Sequence, residues 1–251
     1  MLLNRRILQF VACSVALTLS GGCALFSGQS AAESADVYVQ LGMRYLSMNK
    51  FDSARDNLSK ALEKDRNNVQ AHNGMAFLYE KMNLPAEAIK HYEIALHLDA
   101  TDMGVQNNYG RFLCEQKQYE RGLSLLKQAA TTPFNNRPWL ALTNAGRCEM
   151  AMGQQQKAEP YFQQALLTNS SYAPALAELQ KLSYQRNDFN AANDYLQRYL
   201  TVSSHTAETL WIAIHTERAL GNNELATEYQ NLLLKKFPLS DEAHKIKSVL
   251  W

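Results

Sequence analysis

An all-α fold, a right-handed solenoid of six helix–turn–helix repeats with a short C-terminal capping helix, is predicted by three features of this 251-residue sequence. Small residues recur with a fixed period: Ala54, Ala88, Gly122, Ala158, Ala192 and Ala226 stand 34, 34, 36, 34 and 34 residues apart. A second register, Gly42, Ala76, Gly110 and Gly146, carries the same period with the same single step of 36, which locates a two-residue insertion between Ala130 and Pro138. Within each period the apolar residues follow the helical spacing i, i+3, i+4, i+7. A period of this length is the mark of stacked supersecondary units, each unable to bury its apolar face alone.

Taken from the N-terminus, residues 1–22 are an address segment. Arg5 and Arg6 precede an apolar run from Ile7 to Leu19, followed by Ser20-Gly21-Gly22-Cys23. Positive charge, apolar core and small residues in that order make a secretory signal, and the run is short for a membrane span. Cys23 after Gly-Gly resembles a bacterial lipobox, in which the cysteine sulfur receives a diacylglyceryl group and becomes the mature N-terminus. Ser20 stands where that pattern prefers an aliphatic residue, and ordinary cleavage at Ser30-Ala31-Ala32, which discards Cys23, is the alternative. With Cys23 lipidated, residues 23–34 read as a flexible tether. By resemblance to bacterial lipoproteins, Ala24 after the cysteine directs the chain to the periplasmic face of the outer membrane.

The repeats follow, at about 35–68, 69–102, 103–138, 139–172, 173–206 and 207–239. In the first, Tyr38, Leu41, Gly42 and Tyr45 share one helical face, and Ala54, Leu58 and Ala61 share the face of the next helix. In the second, His72, Met75, Ala76 and Tyr79 are followed by Ala88, Tyr92 and Ala95. Between the paired helices stand Asn49, Asn83, Lys117, Gly153, Asn187 and Gly221, residues (Lys117 apart) that tolerate the left-handed backbone ending a helix. The last two repeats place Gln180 and Ile214 where a small residue is expected, and Pro160, about a turn into its helix, predicts a late start or a bend. Residues 240–251 read as the closing helix.

Composition excludes several classes of function. There are 25 basic and 24 acidic residues, and residues 1–22 hold two of the basic ones, so no strong field steers the chain toward nucleic acid. None of the six histidines lies in H-E-x-x-H, and no phosphate-binding glycine loop or nucleophile elbow occurs. No catalytic residue, metal site, cofactor or small-molecule substrate is expected, and His72 is read as a satisfied core histidine. Cys114 and Cys148 fall at unequal places in neighbouring repeats, twelve and ten, and packed free thiols are favoured over a disulfide.

A solenoid of this kind works by its surface, and positions 2, 5, 9 and 12 of each repeat are assigned to the inner wall. They supply the candidate partner-binding residues Val39, Met43, Leu46, Asn73, Phe77, Asn107 and Arg111, apolar in the first repeats and increasingly basic in later ones (Arg111, Arg147, Lys181). Apolar residues off the helix-pairing face suit an amphipathic helix or an extended peptide; packing against the neighbouring repeat is the other reading.

The pattern resembles the tetratricopeptide repeat over residues 35 to about 240. One segment is more specific. Asn107-Asn108-Tyr109-Gly110-Arg111-Phe112-Leu113, continuing through Gln116 to Tyr119, resembles the N-N-Y-G-x-F-L-x-x-Q-x-x-Y stretch of the type IV pilus pilotin lipoproteins, the PilF/PilW family. The layout of lipobox, tether, Val37–Leu46 opening helix and six repeats is similar too. The resemblance implies an outer-membrane lipoprotein that binds secretin subunits and promotes their multimerisation. The alternative is a generic periplasmic repeat adaptor, or a scaffold for peptidoglycan enzymes, in cell-envelope assembly.

Overall fold

The computed structural model describes the backbone of residues 22–249 and the side chains of residues 33–248. The address segment, apart from Gly22, lies outside the described residues. Every described regular element is an α-helix. They are α1 (Gly22–Ser47), α2 (Phe51–Lys64), α3 (Val69–Lys81), α4 (Pro85–Leu98), α5 (Met103–Glu115), α6 (Tyr119–Thr131), α7 (Pro138–Ala151), α8 (Gln155–Thr168), α9 (Ala173–Gln185), α10 (Phe189–Leu200), α11 (Ala207–Ala219), α12 (Asn223–Lys236) and α13 (Asp241–Val249). The chain divides into two compact units, one ending at Ala100 and one beginning at Thr101.

The helices pair as α1/α2, α3/α4 and so on to α11/α12, and the small residues mark where the partners meet. A Cβ on Gly42 would stand 2.7 Å from Leu58 Cγ, one on Gly110 2.9 Å from the carbonyl oxygen of Gly122, and one on Gly146 2.5 Å from the Phe162 ring. Ala54, Ala88, Ala158 and Ala192 are wholly buried at the corresponding places on the second helices.

The turns inside the pairs follow the sequence position by position. Among the described residues, positive φ occurs at Asn49, Asn83, Lys117, Gly153, Asn187 and Gly221, the six expected sites. Lys117, at φ 64°, is the one with neither the freedom of glycine nor the short amide of asparagine. Lys117→Gly is therefore expected to raise stability by about 0.5–1 kcal/mol. Chemical denaturation checks this; an unchanged or lower midpoint contradicts it.

Between the pairs, side chains start several first helices. Asn68 accepts from the Ala71 amide, Asp102 from that of Val105, and Thr206 and Thr209 cap each other reciprocally.

Three expectations change. Residues 23–34 are helical as part of α1, where a flexible tether was expected; Ala31-Ala32-Glu33-Ser34-Ala35 contains good helix formers and no proline. Helix α8 starts at Gln155 and runs through Pro160, so the late start does not occur. Finally, Cys114 and Cys148 are not free: they form a disulfide, with Cα atoms 5.5 Å apart. Helices α5 and α7 lie side by side, and an offset of two positions is about 3 Å along a helix, less than the Cα separation a disulfide spans.

The larger residues of the last repeats have partners of their own. Gln180 is buried and donates from Nε2 to the carbonyl of Thr209 at 3.4 Å, joining α9 to α11. Ile214 packs with Leu210 and Leu233 against Ala243 and Ile246 of α13, which closes the last pair.

His72 is buried between its own repeat's elements, its Nε2 3.1 Å from the Arg66 carbonyl and its Nδ1 2.9 Å from His91 Nδ1. The carbonyl requires a proton on His72 Nε2, and the two Nδ1 atoms share one hydrogen bond between the rings. Burial first, then the neighbouring His72 and Lys90, lower the pKa of His91 from 6.5 to about 4. An unfolded chain binds that proton more readily, so this stability is present above pH 6.5 and is lost as pH falls toward 4. Because His91 is half exposed, the expected loss is about 1–2 kcal/mol, less than the full shift would give. Denaturation series at pH 7 and pH 4.5 on the wild type and His91→Phe test it; equal pH dependence in both proteins would be the contrary result.

Candidate partner-binding surface

Each unit holds part of the candidate set. In the first unit α1 packs on both α2 and α3, and this decides which of its residues remain on the surface. Gly42 marks the face toward α2. Val39 and Leu46, three before and four after it, lie on that same face. Val39 is buried with Ala61 and Ala71, and Leu46 with Ala54, Leu58, Met75 and Leu78. Both are core residues, so the expectation that they offer contact area to a partner does not hold.

Met43 is different. It follows Gly42 by one position, a turn of about 100° around the helix, and it is 38% exposed. Its Sδ lies against Gly74 of α3, 3.3 Å from where a Cβ would be. Phe77, one helical turn beyond Gly74 and one residue after Ala76, is half-buried, with Lys81 Nζ 5.2 Å from its ring centre. Met43 and Phe77 thus leave apolar surface on adjacent first helices, which suits an apolar partner side chain. Asn73 is buried, three residues before Ala76, and its Nδ2 lies 3.4 Å from Gln70 Oε1.

In the second unit the corresponding surface is polar. Asn107 on α5 accepts from Asn144 Nδ2 on α7 at 2.9 Å, which aligns two amides across neighbouring first helices. Arg111 pairs with Glu115 at 2.5 Å. Arg147 pairs with Glu178 of α9 at 2.7 Å, and Lys181 with Glu208 of α11 at 2.6 Å. At the same place on α11, His215 stacks edge-on to Trp211 at 4.3 Å; burial, then Arg218, lower its pKa. Arg111 is therefore neutralised on its own helix, while Arg147 and Lys181 are neutralised by carboxylates of the next first helix, an arrangement that reading one repeat at a time misses. Counting acids at positions 2 and 6 of the following repeat would have found it. Cys114, assigned to the inner wall by position, turns instead into the core with Cys148, Leu123, Leu126 and Ala145.

The backbone of Cys23 belongs to α1, while its side chain lies outside the described residues. Among the described residues no group of His, Cys, Asp and Glu is arranged to hold a metal, and no helix is long and apolar enough to cross a membrane.

Comparison with known proteins agrees with the helix register. The tetratricopeptide repeat family matches at residues 35–83 and 141–172. The type IV pilus assembly protein PilF of Pseudomonas aeruginosa is 28% identical over 216 residues, covering 86% of each chain. Among solved structures, Pseudomonas aeruginosa PilF superposes with a TM-score of 0.78 at 27% identity, over 87% of this chain and 99% of that one. PilW, described as a widely conserved type IV pilus biogenesis factor, superposes at 0.75 and 27% identity, over 84% and 97%. With the repeats, the closing helix and likeness over nearly the whole length of both relatives, the chain is a solenoid of tetratricopeptide repeats that is similar to PilF and PilW.

Proposed function

We propose that this protein is a lipid-anchored pilotin of the outer membrane, which binds secretin subunits of the type IV pilus and promotes their localisation and multimerisation. The likeness to PilF across 86% of both chains carries the reading. The lipobox-like Ser20-Gly21-Gly22-Cys23 supports the anchor. A diacylglyceryl group with an amide-linked chain on Cys23 supplies enough buried methylenes for stable attachment. Each unit contributes a surface of its own: in the first, Met43 and Phe77 give an apolar contact, and in the second the Asn107–Asn144 pair gives amides able to meet an extended backbone.

Replacing Met43 and Phe77 by serine is expected to weaken secretin binding by about 1–4 kcal/mol, the range for anchors in a desolvated contact. A pull-down against secretin reads the binding, and circular dichroism confirms the fold. Full binding by the folded double variant would move the contact off the first unit.

A further inference from the structure

The turns that join successive repeats differ along the chain. Those after α2 and α4 are acidic, with Asp65, Asp99 and Asp102. The four after α6, α8, α10 and α12 contain no acid between the helix ends, and each end region carries an exposed apolar side chain: Phe134 (89%), Leu167 (86%), Val202 (43%) and Leu239 (87%). A single exposed apolar residue is ordinary. Four near the ends of the second helices of consecutive repeats, between positions 29 and 33, form a loose row along one edge.

Contacts hold these turns side by side within the second unit. The Trp139 and Tyr172 rings lie 6.4 Å apart, Arg198 reaches the Ser170 carbonyl at 3.4 Å, and His205 stacks on Tyr229 of α12 at 5.3 Å. Exposed Arg137, Arg198, Lys235 and Lys236 flank the row, and Lys247 folds back to the Pro238 carbonyl at 3.1 Å. Acids follow in the first turns of the next helices, Glu208 on α11, paired with Lys181, and Asp241 and Glu242 on α13.

The geometry points to this edge as a contact with the surface of an anionic phospholipid bilayer. Side chains this exposed project singly and form no groove for a protein segment, whereas isolated apolar residues ringed by cations suit the headgroup and acyl boundary. In every pair the first helix begins at the edge where the second one ends. The inference rests on the anchored reading above and adds a second attachment to it.

The test uses the full, lipid-modified chain on vesicles of phosphatidylethanolamine and phosphatidylglycerol. Flotation reports attachment. A dansyl amino acid placed at position 134, 167 or 239, with position 157 at the opposite edge as control, reports the local environment. The expected result is a blue shift and quenching by brominated acyl chains at the first three positions only. The shift should disappear in Arg137→Glu/Lys235→Glu/Lys236→Glu or on vesicles of phosphatidylcholine. A floating chain with water-like emission at all positions overturns the edge while leaving the anchor intact. A blue shift that survives in a floating Cys23→Ser chain supports the edge without the anchor. Failure to float refutes both, and a shift caused by soluble secretin and not by vesicles assigns the edge to protein.

Discussion

Gly122→Ala is expected to destabilise the second unit by about 3 kcal/mol, the upper end of the overpacking range. A Cβ there would lie 2.5 Å from Cys114 Sγ, 2.7 Å from the Gly110 carbonyl oxygen and 3.1 Å from the Cys114 amide nitrogen. Two of these neighbours are backbone of the paired helix, and the third is tied into a disulfide, so none can swing aside as a free side chain would. Relief requires α5 and α6 to separate, which loosens Leu123 and Leu126 in the same cluster. Ser124→Ala, on the exposed face two residues along, is expected to stay within about 0.5 kcal/mol. Equal denaturation midpoints for the two variants would contradict the helix contact.

Reducing the Cys114–Cys148 bond is the second large effect. The bond closes a 34-residue separation, and in the chain-entropy account a loop of that size stabilises by about 3–4 kcal/mol. It also links α5 to α7 directly, so reduction should release contact between two repeats as well as freedom in the unfolded chain. Denaturation with and without dithiothreitol measures the loss, and Cys114→Ala/Cys148→Ala should match the reduced wild type and be insensitive to reductant. Thiol titration of the untreated protein that finds both cysteines free would contradict the bond.

The repeat register was legible because each unit obeys the same local physics. Gly42, Gly110 and Gly146 are small where helices touch, and Asn49 through Gly221 end helices in the left-handed region. The surface was less legible. Helices stacked in a row have two packing faces, and position within a repeat does not say where one face ends. Val39 and Leu46 share the face of Gly42, while Met43, one residue on, does not. The ion pairs Arg147–Glu178 and Lys181–Glu208 join different repeats, so they follow from how first helices lie together and not from any one period. The disulfide has the same origin: its cysteines are unequal in register yet neighbours across α5 and α7.

The central claim is that the scaffold serves secretin assembly from an outer-membrane anchor. The most direct measurement is the amount of heat-resistant secretin multimer in outer membranes of cells lacking this protein, complemented with the wild type or with Cys23→Ser. The account predicts loss of multimers in the deletion, recovery with the wild type, and failure of Cys23→Ser to restore them in the outer membrane. Unchanged multimers in the deletion strain would contradict it.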